Sequence, residues 1–211
     1  MSSVALSGNA AGAGVFTIAS PNSASSYTAT LPTATTTLVG TDATQTLTNK
    51  TIQGGAITSG TAVASTSGTS IDFTSIPSWA KRITVMFNGV SLSGTTFYLV
   101  QIGSGSVTTT GYISCSQASV GANNTSFTTS TSGFVIKNAA LASANQYGSM
   151  LITLVSGNIY INSHTFSDSV NSAVTNGGGG VTLSGTLDRV RITTVNGTDT
   201  FDAGSVNILY E

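Results

Sequence analysis

The chain contains few charged residues. Only 6% of its 211 residues are Asp, Glu, Lys or Arg, whereas an average soluble domain carries about 25%. The six basic residues are thinly spread and the formal net charge is −1, so the clustered basic surface that nucleic-acid binding requires is missing. No apolar run approaches the roughly 20 residues of a membrane-spanning helix. These absences predict a protein that neither binds nucleic acid nor inserts into a membrane.

Reactive side chains are also scarce. Cys115 is the only cysteine, which excludes an intrachain disulfide and predicts a small buried thiol. His164 is the only histidine, and we expect an exposed or hydrogen-bonding side chain at the end of a strand. Serine is so abundant that a Ser/His/Asp arrangement carries no information, and no Gly-x-Ser-x-Gly nucleophile motif is present. The sequence therefore predicts a protein that is not an enzyme and holds no cofactor.

Three carboxylates near the C-terminus leave two interpretations open. Asp188, Asp199 and Asp202 could form a Ca²⁺ site, because hard cations bind several carboxylate and carbonyl oxygens. Alternatively, the side chains of residues 196–202 cap an Asx-type turn, and this second interpretation is favoured. No metal site is assigned. Asp188 shares strand parity with Val190, which predicts that it points inward towards a buried partner.

The residues that are abundant favour β-strands. Roughly a third of the chain is Ser or Thr, and 39% is hydrophobic, with Val and Ile throughout. Thr, Val, Ile, Tyr and Phe suit a pleated, half-buried surface, and the hydrophobic content argues against disorder. No window has a convincing apolar period of 3.6 residues, although residues 139–147 are predicted to hold one helical turn. The composition predicts an all-β fold.

The strand patterns predict an antiparallel domain. Apolar residues alternate in residues 82–87 and 189–194, whereas residues 97–102 are apolar on both faces, as expected of a strand covered on two sides. Asn88-Gly89 and Asn196-Gly197 predict turns. Further strands are predicted at residues 111–114, 133–137, 149–155, 158–163, 185–194 and 205–210. Eight or nine short strands with glycine-rich turns predict a β-sandwich of jelly-roll type.

Two polar stretches predict loops. Residues 116–132, which are rich in Ser and Thr, are the best candidate for an exposed recognition loop. Residues 177–180 are four glycines that lack the Lys-Ser/Thr of a phosphate-binding loop, so they predict a flexible loop. Trp79 is interpreted as a core or intersubunit side chain, with stacking on a sugar ring as the less favoured alternative. The same alternatives are open for four tyrosines: Tyr98, Tyr112, Tyr147 and Tyr160.

Residues 1–60 are poor in large apolar side chains. Ordering each residue costs on the order of 1–2 kcal/mol of backbone entropy, and so few apolar side chains cannot offset that cost within one chain. Leu47 and Ile52 differ in parity, so a flat strand would direct them to opposite faces. We therefore expect this segment to be ordered only in an oligomer. Gly54-Gly55 and residues 59–62 are predicted to be a hinge or linker.

A sequence motif lies within this segment. The run Thr44-Gln45-Thr46-Leu47-Thr48-Asn49-Lys50-Thr51-Ile52 closely resembles a short repeat of bacteriophage tail-fibre and related virion-fibre proteins. Residues 14–21 and 26–32 resemble the companion element of the same fibres, and residues 77–83 and 201–211 more loosely resemble fibre tip domains. The resemblance implies a short fibrous or intertwined β segment over residues 1–60, followed by a trimeric knob over residues 61–211.

The resemblance also implies a function. It predicts a virion structural protein that attaches to the host cell surface through its C-terminal knob. Its partners would be itself in a homotrimer, other virion proteins through the N-terminal segment, and a host glycan or protein receptor. The N-terminus lacks the pattern of a secretory signal, so we expect synthesis in the host cytoplasm and exposure on the assembled particle. No receptor-binding residue is assigned.

Two alternatives to the tail fibre remain. The chain is short for a tail fibre, and its size also suits a head fibre, a capsid decoration or a nozzle-associated protein with a mainly structural role. An alternative of another class is a stand-alone glycan-binding module, for which a fibre-like N-terminal segment has no evident use.

Overall fold

The computed structural model of the chain describes residue 24 and residues 57–211, except for residues 121–123, 139–140, 143 and 171–172. Residues 57–211 lie in one compact unit, Ile52–Glu211. This described part contains fourteen strands: β1 (Thr58–Ser59), β2 (Val63–Ala64), β3 (Ile71–Phe73), β4 (Arg82–Leu92), β5 (Tyr98–Ser104), β6 (Ser106–Val107), β7 (Ile113–Val120), β8 (Asn124–Ser130), β9 (Phe134–Ile136), β10 (Gln146–Ser156), β11 (Ile159–Asp168), β12 (Val174–Thr182), β13 (Arg189–Thr194) and β14 (Phe201–Tyr210). It has no helix that could cross a bilayer.

The strands form two antiparallel sheets. The larger sheet has the order β1-β14-β4-β10-β11-β12-β7-β8, and β2 also pairs with β14. The smaller sheet has the order β3-β13-β5-β6, with β9 paired to β5. Strands β10, β11 and β12 form a meander, whereas the pairing of β14 with β4 joins distant parts of the chain. The predicted all-β, antiparallel fold is confirmed, and the two sheets are arranged as in a β-sandwich.

One hydrophobic core connects the two sheets. Strand β4 alternates as predicted, with Ile83, Val85 and Phe87 buried. The ring of Phe87 packs edge-on against Tyr98 of β5 in the other sheet, with 5.5 Å between the ring centroids. Residues 98–103 of β5 are all buried, which confirms the prediction of a strand covered on both faces.

One of the two predicted turns is wrong. Strand β4 continues through Asn88-Gly89 to Leu92. Gly89 has a φ of 66°, and the register with β10 shifts at this point. The glycine is therefore the extra residue of a β-bulge, which bends the strand instead of reversing it. The turn at Asn196-Gly197 is confirmed, because the Gly197 amide donates to the Thr194 carbonyl and the segment leads from β13 to β14 in the other sheet.

Both predicted loops are strands. Residues 116–132 contribute most of the hairpin formed by β7 and β8, and residues 177–180 lie inside β12. At Gly179 an added Cβ would lie 2.2 Å from the carbonyl oxygen of Ile113, so a glycine is required by the close approach of β7. The loop predictions are wrong because hydroxyl-rich and glycine-rich strands lack the apolar alternation by which strands are recognised.

The start of the described chain follows the last strand. Thr58 pairs with Tyr210, and the Gly60 amide donates to the Ile208 carbonyl at 2.8 Å. Residues 59–62 are therefore part of the sheet edge, and their interpretation as a linker is wrong. The fibre-like motifs, the ordering expected of residues 1–56 and Gly54-Gly55 lie outside the described residues, and the domain boundary at residue 60 stays a prediction.

The predicted helical turn at residues 139–147 lies partly outside the described residues. Within the part that is described, the Ala144 amide donates to the Leu141 carbonyl at 3.1 Å in a single turn. Strand β10 then begins at Gln146.

Candidate interaction surface

A buried polar cluster surrounds the only histidine. His164 lies within β11, not at a strand end as predicted, and is 5% exposed. Its Nδ1 atom lies 3.1 Å from the Asn162 amide nitrogen, and its Nε2 atom lies 3.0 Å from the hydroxyl of Ser116 on β7. An amide that donates to Nδ1 leaves the ring proton on Nε2, which then donates to Ser116. Burial lowers the pKa of His164 to about 4, so the ring is neutral near pH 7 and forms the hydrogen bonds that were expected.

The geometry of this cluster is structural. Ser116 is fully buried, and its hydroxyl accepts a hydrogen bond from the Lys137 amide at 3.1 Å. Gly177 lies against the imidazole, and an added Cβ there would lie 2.6 Å from Cε1 of His164. A nucleophilic serine needs room for a substrate carbonyl beside its hydroxyl, and here that volume is filled by backbone and by the ring.

Side-chain hydroxyl groups of the larger sheet form hydrogen bonds with the backbone of β9 and of the residue that follows it, at the edge of the smaller sheet. Ser114 accepts a hydrogen bond from the Val135 amide at 3.0 Å, just as Ser116 does from Lys137. Thr175 of β12 donates to the carbonyl of Lys137 at 2.6 Å. Side chains thus take the place of a neighbouring strand along β9. Sequence reasoning missed this arrangement, although small polar residues at alternate positions of β7 are a signal for it.

Asp188 does not point inward. Both of its carboxylate oxygens accept from the guanidinium of the adjacent Arg189, with 2.7 Å from Nε to Oδ1, and both also accept from the Gly105 amide. The hydrogen bond from Arg189 holds the pKa of Asp188 below its usual value. The predicted buried partner is wrong because the pair lies at the surface, with side-chain exposures of 39% for Asp188 and 26% for Arg189.

The other two aspartates have separate partners. The Asn196 side-chain oxygen accepts from the amides of Thr198 and Asp199 at 3.1 Å, which confirms the Asx-type turn. Asp199 accepts from the Asn196 side-chain amide, and Asp202 accepts from the hydroxyl of Ser91 on β4. Among the described residues no three His, Cys, Asp or Glu side chains are grouped as metal ligands would be.

The aromatic candidates divide into buried and exposed side chains. Three tyrosines are buried in the core: Tyr98, Tyr112 and Tyr160. Burial raises the pKa of Tyr112 to about 12. Tyr147 is 44% exposed and Trp79 is 52% exposed. The core interpretation of Trp79 is wrong, because its ring packs on Tyr210 at a surface edge, with 5.6 Å between the centroids.

The larger sheet has an apolar outer face. We define the outer face as the outward side chains of β7, β8, β10, β11 and β12. Ile113 is 81% exposed, Phe127 74% and Ile161 49%, and a half-buried Leu151 lies in the same face. Four further exposed residues complete the apolar set: Tyr147, Val155, Ile159 and Val174. Cys115 is also exposed on this face. The prediction of a buried thiol is therefore wrong, because the alternation of β7 places Ser114 and Ser116 inside and Cys115 outside.

The outer face has neither charge nor strong relief. The outward positions described on these five strands carry Ser, Thr, Asn, Gln, Gly and the apolar residues, and none is Asp, Glu, Lys or Arg. Ile161 pairs with Gly180, and Gly180 pairs with Ile113. In the next row Ser163, Gly178 and Cys115 are neighbours in the same way. The glycines leave a shallow groove between two rows of larger side chains.

Connections lie at both ends of the two sheets. The chain enters at one end, where Thr58 pairs with Tyr210. The segments that follow β4, β7, β9, β11 and β13 all start at the far end, which we name the loop end. There the Ser169 amide donates to the Asn145 carbonyl at 3.1 Å, and Val170 is 50% exposed. The loop end is thus built from several connections that support one another.

Comparison of the chain with protein-family models, with curated proteins and with solved structures finds no match in any of the three.

Proposed function

We propose that this chain is a structural subunit of a bacteriophage virion fibre, that it assembles as a homotrimer, and that its C-terminal β domain attaches the particle to the host cell surface. Residues 44–52, which resemble a fibre repeat, precede that domain in the chain. In this role the N-terminal segment joins the domain to other virion proteins, and the protein acts by binding and not by catalysis.

The observation that carries the proposal is the end at which the chain enters the described domain. It enters at one end, and the connections after β4, β7, β9, β11 and β13 form the opposite end. A domain carried at the C-terminal end of a fibre has its point of attachment where the chain enters. Loops on a rigid β scaffold are common sites of recognition, so the loop end is suited to contact with a receptor.

The loop end offers hydrogen-bonding and exposed apolar groups to a receptor. Asn145 and Ser169 offer amide and hydroxyl groups, and Tyr147 and Val170 are exposed apolar side chains. Such groups form hydrogen bonds and stacking contacts with glycans or with polar protein surfaces, each of them weak. Threefold repetition in the subunit and further repetition on the particle multiply weak contacts through effective concentration.

A non-catalytic role is supported by the burial and the hydrogen bonds of the candidate reactive groups. The Ser116 hydroxyl is buried and hydrogen-bonded, and the neighbouring imidazole is neutral and buried. The aspartates Asp188, Asp199 and Asp202 each have a separate partner. Incubation of the purified chain with host polysaccharide should give binding without shortening of the polysaccharide, and shortening would exclude the non-enzymatic role.

Competition for adsorption tests the attachment role. We expect the purified full-length chain to bind host cells and to reduce adsorption of virions that carry it. Val170→Asp at the loop end should weaken both effects. Ile57→Asp is the matched control, because Ile57 is 61% exposed and Val170 is 50% exposed, yet Ile57 precedes β1 at the end where the chain enters and lies off the outer face. Equal competition by both variants would contradict the assignment of the loop end.

Imaging of particles tests the position on the virion. Gold-labelled antibodies against residues 57–211 should mark the end of the tail. Labelling of the capsid together with a failure to bind host cells would refute the attachment role, and would favour a head fibre or a capsid decoration.

A further inference from the structure

We infer that the outer face of the larger sheet is the surface by which copies of this chain meet in the homotrimer. The inference deepens the proposed function and rests on it for the number of copies. The choice of surface rests on the side chains of the outer face and on Gly180 within it.

The extent of the outer face suits an interface between proteins. Five strands about 4.8 Å apart and about seven residues long at about 3.3 Å per residue cover roughly 550 Å². Three such faces that meet around one threefold axis together bury more than the roughly 1,000 Å² expected of a biological interface. Ile113, Ile161 and Phe127 are all about half exposed or more within this area. Large apolar side chains exposed together on one sheet face are typical of a surface that another protein covers.

The absence of charge from the outer face selects a second copy as the occupant. The described outward side chains of its five strands include no Asp, Glu, Lys or Arg. A copy of the same face therefore brings no like-charge repulsion and buries no unpaired charge. A charged partner such as an acidic glycan or an anionic lipid surface would find no opposite charge. The exposed side chains on either side of Gly180 are Ile113 and Ile161, which are residues of protein cores.

The glycines of β12 provide a second, independent argument. Gly177 and Gly179 face the interior, where an added Cβ would lie 2.4 Å and 2.2 Å from carbonyl oxygens of β7, so one chain alone requires glycine at both positions. Gly180 faces outward, and an added Cβ there would meet nothing nearer than 3.4 Å. The fold of a single chain thus gives no steric reason for glycine at position 180.

A second copy does give a reason for Gly180. The residue lies between Ile161 and Ile113, so its missing side chain leaves a groove between two isoleucine ridges. A neighbouring copy carries the same ridges, and one of them fits this groove. The outer face therefore carries both a groove and the ridge that fills it, so the groove of one copy can receive the ridge of the next, as the head-to-tail contacts of a closed threefold ring require.

Cys115 reports directly on whether the outer face is covered. It is the only cysteine in the chain and lies exposed on this face. In the native full-length protein we expect a maleimide to react with Cys115 more slowly than with the chain unfolded in guanidinium. A fall of about tenfold or more, equivalent to about 1.4 kcal/mol of protection, is the expected result. Light scattering of the same sample should give three times the mass of the chain.

A matched pair of variants separates the outer face from other surfaces. Ile161→Asp should dissociate the trimer and restore fast labelling of Cys115. Val195→Asp is the control, because Val195 is 50% exposed and Ile161 is 49% exposed, yet Val195 lies in the turn after β13, off the outer face. We expect Val195→Asp to remain trimeric with Cys115 protected. Circular dichroism of both variants checks that the strands are retained. If Ile161→Asp does not fold, the milder variant Ile161→Thr, which keeps a β-branched residue, takes its place and should weaken the trimer.

The possible outcomes discriminate between this inference and the proposed function. A trimer in which Cys115 reacts at the unfolded rate, or in which the Ile161 variants stay trimeric and protected, overturns the inference and leaves the trimeric fibre standing. A monomer with a protected Cys115 shows that residues 1–56 of the same chain cover the face, which also overturns it. A monomer with a reactive Cys115 overturns both the inference and the homotrimer.

Discussion

Acidification should destabilise the β domain through a single residue. His164 is buried and neutral, with Nδ1 beside the Asn162 amide and Nε2 beside the Ser116 hydroxyl. Protonation would place a charge in this site and would set the new Nδ1 proton against the amide protons of Asn162. The folded protein therefore resists protonation, and the pKa of His164 falls from 6.5 to about 4 because burial disfavours the charged ring.

The size and direction of the effect follow from this pKa. Between pH 6.5 and about 4 the unfolded chain binds a proton that the folded chain does not, so the free energy of unfolding falls as the pH falls through this window. At about 1.4 kcal/mol per pH unit the full interval corresponds to about 3 kcal/mol. Above pH 6.5 the histidine contributes no pH dependence. The pKa of Asp188 is held low by Arg189, so its contribution to the free energy of unfolding is lost only as the pH falls below the ordinary pKa of an aspartate. The effects of His164 and Asp188 therefore occur in different pH ranges.

Two measurements check this prediction. Because His164 is the only histidine, its Cε1 proton gives one assignable NMR signal, which should not titrate until the pH approaches 4. Urea unfolding at several values between about pH 7 and about pH 4.5 should lose stability for the wild type and much less for His164→Gln, which cannot titrate. A histidine signal that titrates near 6.5, or equal pH dependence in both proteins, would refute the reasoning.

Two further predictions concern contacts inside the sheets. Ser114→Ala removes the acceptor of the buried Val135 amide and should lower the free energy of unfolding by about 1–3 kcal/mol. The control Ser119→Ala on the same strand should change this free energy by less than about 0.5 kcal/mol. Equal values for both variants in urea unfolding would contradict the role of the Ser114 hydroxyl. Gly179→Ala places a Cβ atom 2.2 Å from the Ile113 carbonyl oxygen, so this variant should lose the β-strand signal in circular dichroism. The control Gly180→Ala should keep that signal. A folded Gly179→Ala protein would show that β7 and β12 can separate at little cost.

The fold class could be predicted because several strands carry an unambiguous alternation. In β4 the buried Ile83 and Val85 are separated by the less buried Thr84, and β13 repeats the pattern with Val190 and Ile192. Period-2 alternation specifies both a strand and its buried face. The pairing of these strands is not local, since β4 pairs with β14 from the far end of the chain, and no short-range pattern encodes such a contact.

The hydroxyl-rich and glycine-rich strands could not be predicted from hydropathy. The inward positions of β7 hold Ser114 and Ser116, and those of β12 hold Gly177 and Gly179. They are inside because hydroxyls bond to the edge of β9 and because glycines admit neighbouring carbonyls, neither of which requires an apolar residue. Sequence reasoning that equates inward with apolar therefore interpreted these strands as loops.

The outer face was missed for the opposite reason. Ile159, Tyr160 and Ile161 are consecutive apolar residues, and the sequence gives no sign of which face of this strand is buried. Tyr160 is in the core and the two isoleucines are exposed, a division that depends on the pairing of β11 with β10 and β12.

The distribution of charge distinguishes the two sheets. Asp72, Arg189 and Arg191 lie on the smaller sheet, where Arg191 forms a two-pronged ion pair with Asp72 at 2.7 and 2.8 Å. The ion pair of Arg82 with Glu211 lies at the chain-entry end of β4. Here the described charges of the strands lie on the smaller sheet and at strand ends, while the outward positions of five neighbouring strands of the larger sheet carry none. Such a segregation is expected when one sheet faces water and the other faces copies of itself, because charge on a covered surface costs desolvation energy.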